Sequence, residues 1–364
     1  IPFMNTVHDR VSVEIARGCT RGCRFCQAGY IYRPVRERPQ EEVLEAAGEI
    51  IGHCGYDVLS LVSLSTSDYA GIEELVAGLA SRFPNLAISL PSLRISRFSV
   101  SLMGKLPARS RTGLTFAPEA GSERLRRVIN KNTPESELLE TAAIAFERGW
   151  TGLKLYFMLG LPTETDEDIA EIVRLVQKVH ALGKQVSGKV PHLRVSAATF
   201  VPKPHTPFQW VAQENEEQLN RKQEILRQGL RRLGVKLSWQ EPKASLLEAV
   251  ISRGDRRLGR TIHRAWETGA RFDAWNEHFS YETWQRAFAD SGLDPAFYAH
   301  RQRAFDELLP WAHIDPGVST TFLKKEFHAA IEGRETPDCR YEACFSCGLQ
   351  NQHPACRQKS TSRS

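Results

Sequence analysis

Three cysteines lie close together near the start of the chain and carry its clearest chemical signal. Cys19, Cys23 and Cys26 follow the spacing C-x3-C-x2-C, and Phe25 precedes the third cysteine. Thiolates are soft ligands that select zinc, Cu(I) or iron–sulfur clusters. A structural zinc site is normally closed by a fourth ligand, but the next cysteine, Cys54, falls in a helical pattern. The triad predicts a metal centre with one open position; the alternative is a zinc knuckle completed by a distant His or Cys.

Two further segments place small or acidic residues just after predicted strands. Residues 115–122 end a strand with Glu119 and Ser122, and the strand 152–159 breaks into the turn Gly160-Leu161-Pro162. Ligands bind at the carboxyl ends of parallel strands, so these segments are candidates for a binding site. Taken singly, the first is typical of a solvated helix N-cap and the second of a strand-to-helix junction.

In this order along the chain, the three segments resemble the radical S-adenosylmethionine (SAM) superfamily. The resemblance implies that Cys19, Cys23 and Cys26 hold a four-iron four-sulfur (4Fe-4S) cluster whose free iron chelates SAM. Many relatives bind the SAM amino group with a Gly-Gly-Glu segment. This chain has Ser65 and Ser67 at that place, so its contact with the amino group departs from the common pattern. The residues expected to contact SAM are Phe25, Ser65, Ser67, Glu119, Ser122, Gly160, Pro162 and Phe200.

The sequence also resembles a narrower, largely uncharacterised family that joins a cobalamin-binding-type domain to a radical SAM domain. The matching segments lie at 6–10, 27–38, 64–69, 91–94, 128–131 and 201–210. A cobalamin-type domain would precede Ile1, and these residues contain no Asp-x-His-x-x-Gly motif. Cobalamin is therefore expected only through a domain absent from this chain.

Apolar periodicity predicts six alternations of strand and helix, which indicate a parallel sheet in a barrel or an open doubly wound form. The resemblance implies a partial (β/α)6 TIM-like barrel of the radical SAM type, with a mainly helical C-terminal extension and a cysteine-rich tail. We expect a core domain at 1–235, a helical accessory domain at 236–335 and the tail at 336–364. The predicted strands are 11–16, 58–64, 86–90, 113–116, 152–159 and 194–200, and the predicted helices are 41–51, 72–79, 98–106, 136–146, 166–182 and 216–233.

The tail carries a second group of cysteines, Cys339, Cys344, Cys347 and Cys356. They can close a tetrahedral zinc site or hold a second cluster, and the alternative is a loose tail with incidental thiols. A basic stretch at 253–260 fits phosphate or an RNA backbone, because arginine forks match phosphate oxygens. A solvated, salt-bridged helix face is the simpler interpretation of that stretch.

Composition limits the remaining options. The net charge of +5 is too small by itself to indicate nucleic acid binding. No apolar run reaches the roughly 18 residues of a membrane-spanning helix, and no signal-peptide pattern is present, so a membrane partner is not expected. Clustered cysteines without a secretion signal indicate metal ligands, and we expect a reducing cytoplasm.

The expected function is reductive cleavage of SAM to a 5′-deoxyadenosyl radical that acts on an unknown substrate. A flavodoxin- or ferredoxin-type reductant would supply the electron. The reaction is a methylation or rearrangement if cobalamin takes part. The enzymatic alternative is a methylthiotransferase acting on tRNA or a ribosomal protein, and the non-enzymatic alternative is an iron–sulfur carrier or scaffold.

Overall fold

The computed structural model describes residues 9–106, 114–354 and 356, with parallel strands and helical crossovers over most of the first 240 residues. Thr6 to His8, used above for the narrower resemblance, and Gly113, in the fourth predicted strand, lie outside the described residues. The strands are β1 (Val11–Glu14), β2 (Ala16–Arg17), β3 (Arg36–Glu37), β4 (Val58–Val62), β5 (Ala87–Ser89), β6 (Leu114–Glu119), β7 (Gly152–Leu159), β8 (His192–Thr199) and β9 (Lys236–Trp239).

The strands form two parallel sheets and one short antiparallel pair. β1, β4 and β5 make the first sheet, with Val11 opposite Leu59. β6, β7, β8 and β9 make the second, with Leu155 opposite Val195. β2 pairs with β3 directly after β1. Within the described ranges no pairing joins β5 to β6, so the partial TIM-like barrel is open at that seam.

Helices cover the strands and make up most of the C-terminal region. Those of the barrel half are α1 (Ala28–Ile31), α2 (Gln40–Cys54), α3 (Ile72–Arg82), α4 (Arg97–Lys105), α5 (Glu123–Val128), α6 (Glu135–Glu147), α7 (Asp166–Ser187) and α8 (Glu216–Leu230). Those that follow are α9 (Pro242–Arg253), α10 (Leu258–Glu267), α11 (Tyr281–Ser291), α12 (Pro295–Ala299) and α13 (Thr320–Ile331). Among the described residues, no helix has the length and apolar character needed to cross a bilayer.

α7 illustrates how local sequence builds this scaffold. Thr165 and Asp168 form a reciprocal capping box at its start, and Gly188 ends it with a φ of 68°. The capping side chains satisfy backbone N–H groups that have no partner inside the helix. Buried residues recur with helical spacing and pack α7 against the strands; they include Ile169, Ile172, Leu175, Val176 and Val179.

Several elements were not predicted, among them α1, β3, α5 and β9. α5 has four charged residues among six, yet Arg126 is buried and donates to the carbonyls of Ala120 and Gly121. β9 is mostly exposed, so it lacks an apolar pattern, and it adds a seventh parallel strand to the six predicted. The second sheet therefore extends past residue 235, and the division of the chain at 236 and 336 stays a prediction.

Candidate functional site

The cysteine loop, residues 18–26, connects the end of β2 to α1. Gly18 opens it with a φ of +88°, and a Cβ there would lie 2.3 Å from the carbonyl oxygen of Pro34. Only glycine fits this backbone conformation and this close approach without strain. The backbone N–H of Arg24 donates to the carbonyl of Ile129, 2.9 Å away, which ties the loop to the end of α5. The cysteines are thus presented on a fixed loop.

The three thiols of this loop are partly exposed and form no disulfide. Burial raises the pKa of Cys19, and it raises that of Cys23 to about 11; neighbouring triad thiols act in the same direction. In the described part of the chain, no three His, Cys, Asp or Glu side chains meet closely enough to hold a single metal ion. Thiolates with one position left open fit an iron–sulfur cluster.

Ser65 lies beside the cysteine loop. It lines a cavity of about 10 Å³ together with Cys19. Its hydroxyl donates to Asp68 (2.6 Å), which also accepts a two-pronged bond from Arg21 (2.8 and 2.5 Å). Burial opposes the charge on Asp68, but the bonds from Arg21 and Ser65 hold its pKa below the ordinary value. The loop after β4 is therefore fastened to the cysteine loop by an ion pair.

Ser67, the second serine of this loop, contacts the segment after β5. Its hydroxyl oxygen accepts a bond from the backbone N–H of Arg94 (3.2 Å). Arg94 and Phe116 line a cavity of about 290 Å³ at the seam between β5 and β6. The positive charge of Arg94 also favours the thiolate of Cys23.

Glu119 ends β6 with an unusual backbone. Its φ is +67°, and the register with β7 shifts just before it. A non-glycine residue in this region is uncommon, and a bulge re-aims the side chain that follows it. Lys131 donates to the Glu119 carboxylate (2.7 Å) and also lowers the pKa of Cys23. Lys131 thus pairs with Glu119, and its charge also acts on the triad.

Ser122 begins α5. Its hydroxyl oxygen accepts the N–H of Leu125 (3.1 Å), and the hydroxyl donates to Asp168 of α7. A Cβ on the adjacent Gly121 would lie 2.3 Å from the backbone nitrogen of Ile172, so glycine allows α5 to meet α7. In this structure, Ser122 joins two helices, and its contact with SAM stays a prediction.

The turn after β7 is supported by a buried ion network. Gly160 has a φ of +83°, and its N–H donates to Glu164 (2.7 Å) two residues beyond Pro162. Lys222 donates to Glu164 (2.6 Å) and to Glu214 (2.5 Å). Burial raises the pKa of Glu164 to about 7, although Lys222 and the Gly160 N–H act in the opposite direction. These contacts fix the backbone of the turn through Glu164 and its partner Lys222.

An apolar cluster connects the turn with the cysteine loop. It contains Phe200, Leu161 and Ala120, and Phe25 packs against it. Phe200 is 2% exposed and meets Phe208 edge to face, with ring centroids 5.8 Å apart. The cluster places the predicted residues Phe25 and Phe200 in one patch, where both act as packing residues.

The structure thus brings the triad, Ser65, Glu119, the Gly160 turn and the two phenylalanines to one edge of the barrel. Sequence reasoning missed Arg21, Asp68, Arg94 and Lys131, which hold or surround the triad. Arg94, Asp68 and Lys131 lie inside segments that matched the narrower family, which was the available signal. The functional roles assigned to the site residues stay predictions.

The tail cysteines lie in a different environment. Cys347 and Cys356 pack against a cluster that includes Tyr30, Trp210 and Phe322. Burial raises the pKa of Cys339 to about 11; Arg33 opposes this, while the thiols at 347 and 356 add to it. These described thiols are not gathered into a single-ion site. A second zinc or cluster at Cys339, Cys344, Cys347 and Cys356 stays a prediction.

Comparison with known proteins identifies the family. The family model of the radical SAM superfamily matches residues 13–176, a range that contains the triad, Glu119 and the Gly160 turn. Residues 13–176 are therefore a radical SAM domain. The cofactors of that superfamily, a 4Fe-4S cluster and SAM, are therefore its cofactors, and the partly exposed triad fits the cluster.

Individual relatives cover only part of the molecule. An uncharacterised protein of Methanocaldococcus jannaschii is 31% identical over 77% of this chain and 60% of its own length. The ribosomal protein uS12 methylthiotransferase RimO of Treponema denticola is 22% identical over 47% of this chain and 42% of its own. This radical SAM chain thus spans 60% or less of these relatives.

Among solved structures, coproporphyrinogen III oxidase (HemN) from Escherichia coli covers 62% of the chain and 52% of its own at 18% identity, with a TM-score of 0.43. That overlap is too loose to support an argument about the site.

Proposed function

We propose that this chain binds a 4Fe-4S cluster through Cys19, Cys23 and Cys26 and uses it to cleave SAM. The proposal is supported above all by three partly exposed thiols on a rigid loop at the edge where Glu119 and the Gly160 turn also lie. When bound, the reduced cluster supplies one electron that breaks the S–C5′ bond of SAM and gives methionine and a 5′-deoxyadenosyl radical. The protein supplies position and exclusion of water.

The chain's own residues have distinct parts in this proposal. The three thiolates hold the cluster, and the positive charge of Lys131 favours the thiolate of Cys23. Glu119 offers a carboxylate to the SAM amino group. That amino group would compete with Lys131 for the carboxylate. The hydroxyls of Ser65 and Ser67 already make bonds within the protein, so a contact with SAM would replace or share those bonds. Phe25, Ser122, Gly160, Pro162 and Phe200 complete the proposed SAM environment.

The substrate space we propose is the cavity at the β5–β6 seam. Its volume, about 290 Å³, is near the lower end of small-molecule sites. Arg94 lines it, and a guanidinium pairs well with a carboxylate or phosphate. This favours a substrate with an anionic group close to the reacting carbon.

The test is anaerobic. The cluster is reconstituted, SAM and dithionite are added, and 5′-deoxyadenosine is quantified, with Cys23→Ala as the control. We expect the nucleoside from the wild type and none from the control. An intact cluster that yields no nucleoside, and to which SAM does not bind, would support the carrier or scaffold instead.

A methylthiotransferase-like modification is the second candidate, favoured by the similarity to RimO. The side chains of Trp266, Phe272 and Trp275 are exposed, and the guanidinium of Arg271 lies 4.7 Å from the centre of the Trp266 ring. Exposed aromatic rings can stack on single-stranded bases. Arg253, by contrast, is buried and donates to the carbonyl of Ala299, so it cannot contact RNA. Mass spectrometry of tRNA and of ribosomal protein after reaction would detect the added methylthio group on either one.

Cobalamin, a reductant and a reducing cytoplasm complete the proposal. Adding cobalamin to the assay tests whether a methylation or rearrangement depends on it. A flavodoxin or ferredoxin in place of dithionite tests the one-electron donor. Neither addition changes the assignment of the triad.

A further inference from the structure

Arg24 lies inside the cysteine loop, between Cys23 and Cys26, and is completely buried. Its Nη1 donates to the carbonyls of Arg127 and Val128, each 3.0 Å away at the end of α5. An arginine guanidinium has five N–H donors and is always charged. Two of its donors are therefore used on the barrel side, and the remaining three must find acceptors elsewhere.

Those three donors all reach the C-terminal part of the chain. The Nε of Arg24 donates to Glu326 of α13 (3.1 Å), and Nη2 donates to the carbonyl of Arg334 (2.7 Å) and the hydroxyl of Thr336 (3.3 Å). The Thr336 hydroxyl in turn donates to Glu326 (2.8 Å). Glu326 is 3% exposed, so a buried cation in the cysteine loop is neutralised by a buried anion from α13.

Asn130 makes a second link between the same two regions. Its amide nitrogen donates to the carbonyls of Arg21 and Gly22 in the loop (both 3.2 Å) and to the carbonyl of Thr336 (2.9 Å). Its amide oxygen accepts the backbone N–H of Thr336 (2.9 Å). One side chain thus bridges the cysteine loop and the segment after α13.

The segment then crosses the loop after β4. Arg340 donates to the carbonyl of Asp68 (2.8 Å) and to Glu37 (2.6 Å), and Asp338 pairs with Arg21 (3.3 Å). Residues 326–340, which we call the C-terminal strap, therefore contact the cysteine loop and its neighbour at three places. Cys339 is the one strap residue that the sequence predicted for a site, as a ligand in the tail; Glu326, Thr336 and Arg340 were not predicted.

We propose that the C-terminal strap is a positioning element of the cluster site and that Glu326 acts through Arg24 as its positioning residue. This inference rests on the proposed function of the triad. Glu326 offsets a fixed positive charge located between two proposed cluster ligands. Removing that offset leaves an unneutralised cation next to the cluster, which favours the reduced cluster and makes it a weaker reductant.

Glu326→Gln in the full chain separates charge from shape, because glutamine is nearly isosteric and keeps an oxygen for Arg24. Glu224→Gln, in an exposed pair with Arg227 on α8 and outside the strap, is the matched control. After anaerobic reconstitution, bound iron, the reduction potential from a redox titration, and the rate of 5′-deoxyadenosine formation are measured for each.

We expect Glu326→Gln to retain its iron, to have a more positive potential and to form 5′-deoxyadenosine about tenfold more slowly. Tenfold in a one-electron equilibrium corresponds to about 59 mV. Glu224→Gln should match the wild type. A folded Glu326→Gln variant with wild-type potential would overturn the proposal, because packing alone would then explain the strap.

If Glu326→Gln does not fold, Thr336→Val tests the proposal in its place. This substitution removes only the hydroxyl that lies between Arg24 and Glu326. A smaller positive shift of the potential supports the proposal, and an unchanged potential overturns it. If the wild type makes no nucleoside, the proposed function fails, but the comparison of potentials between variants still tests the strap.

Discussion

Each side of the candidate site is held by a buried ion pair, and the two pairs differ greatly in the sequence separation of their partners. Arg24 of the cysteine loop pairs with Glu326, 302 positions away. On the opposite side, Glu164 supports the Gly160 turn and pairs with Lys222, 58 positions away. The turn is thus built by a strand and the helices around it, whereas the cysteine loop depends on the C-terminal region. The barrel half therefore supplies all the supporting residues described here for the Gly160 turn, whereas the cysteine loop also needs Glu326 from the C-terminal region.

The largest expected effect concerns the start of the cysteine loop. Gly18→Ala places a methyl group against the carbonyls of Pro34 and Tyr32, at 2.3 and 2.4 Å, with a φ that alanine rarely adopts. Strain and overpacking should together cost roughly 2–6 kcal/mol, and bound iron should be largely lost. Iron and sulfide analysis after reconstitution measures this.

Gly52→Ala is the matched control for this change, because Gly52 lies in α2 and a Cβ there meets nothing within 4 Å. We expect normal iron content and a stability gain of up to about 1 kcal/mol from helix propensity. Full iron binding in Gly18→Ala would show that the loop is not fixed as described.

On the turn side, Lys222→Met should destabilise the protein while leaving the cysteine loop intact. It leaves the buried carboxylate of Glu164 without its cation, and breaking a buried pair in this way costs roughly 3–5 kcal/mol. Chemical denaturation measures the loss. Lys178→Met, which breaks an exposed pair with Glu135, should cost no more than about 1 kcal/mol.

The stability of the folded protein should also depend on pH through Glu164, which supports the Gly160 turn. In the folded protein the pKa of Glu164 is raised from 4.5 to about 7 by burial. The folded chain therefore holds a proton there that the unfolded chain releases between these values, so this contribution to stability is lost as pH rises from about 4.5 to about 7. The stability lost across this pH window is up to about 3 kcal/mol.

Glu164→Gln should remove this pH dependence. Unfolding measured across the window should show the wild type losing stability relative to the variant as pH rises. Parallel pH profiles for the two proteins would contradict the assignment of the shift to Glu164.

The smallest expected effect on the cluster concerns the tail. Cys347→Ser should leave the iron held by the triad unchanged, because Cys347 packs in a separate cluster with Tyr30 and Phe322. Elemental analysis of the purified protein tests the predicted second site at the same time. A loss of about one zinc, or of a second cluster's iron, would confirm metal at the tail. Unchanged metal content would leave these thiols as packing residues.

Much of the scaffold could be predicted because its signals are local. β7 covers Gly152–Leu159 as its apolar run indicated, and α7 begins at Asp166 with acidic residues in its first turn. α7 continues to Ser187, past the predicted end at residue 182, because Gly188 is the residue that ends it. α5 was missed because its buried Arg126 looks, in sequence, like a surface residue.

The sequence by itself determined the spacing of the three cysteines and the order of the motifs. Three thiols in C-x3-C-x2-C spacing on one loop, followed by Glu119 and the Gly160 turn at strand ends, specify the superfamily, because each motif is contained in a few consecutive residues.

Only the tertiary structure decided what surrounds these motifs. Arg24, Glu326, Asn130 and Thr336 are unremarkable in sequence, and no periodicity relates positions hundreds of residues apart. Burial turns them into a single network, because a charge removed from water must find its partner wherever the fold places one.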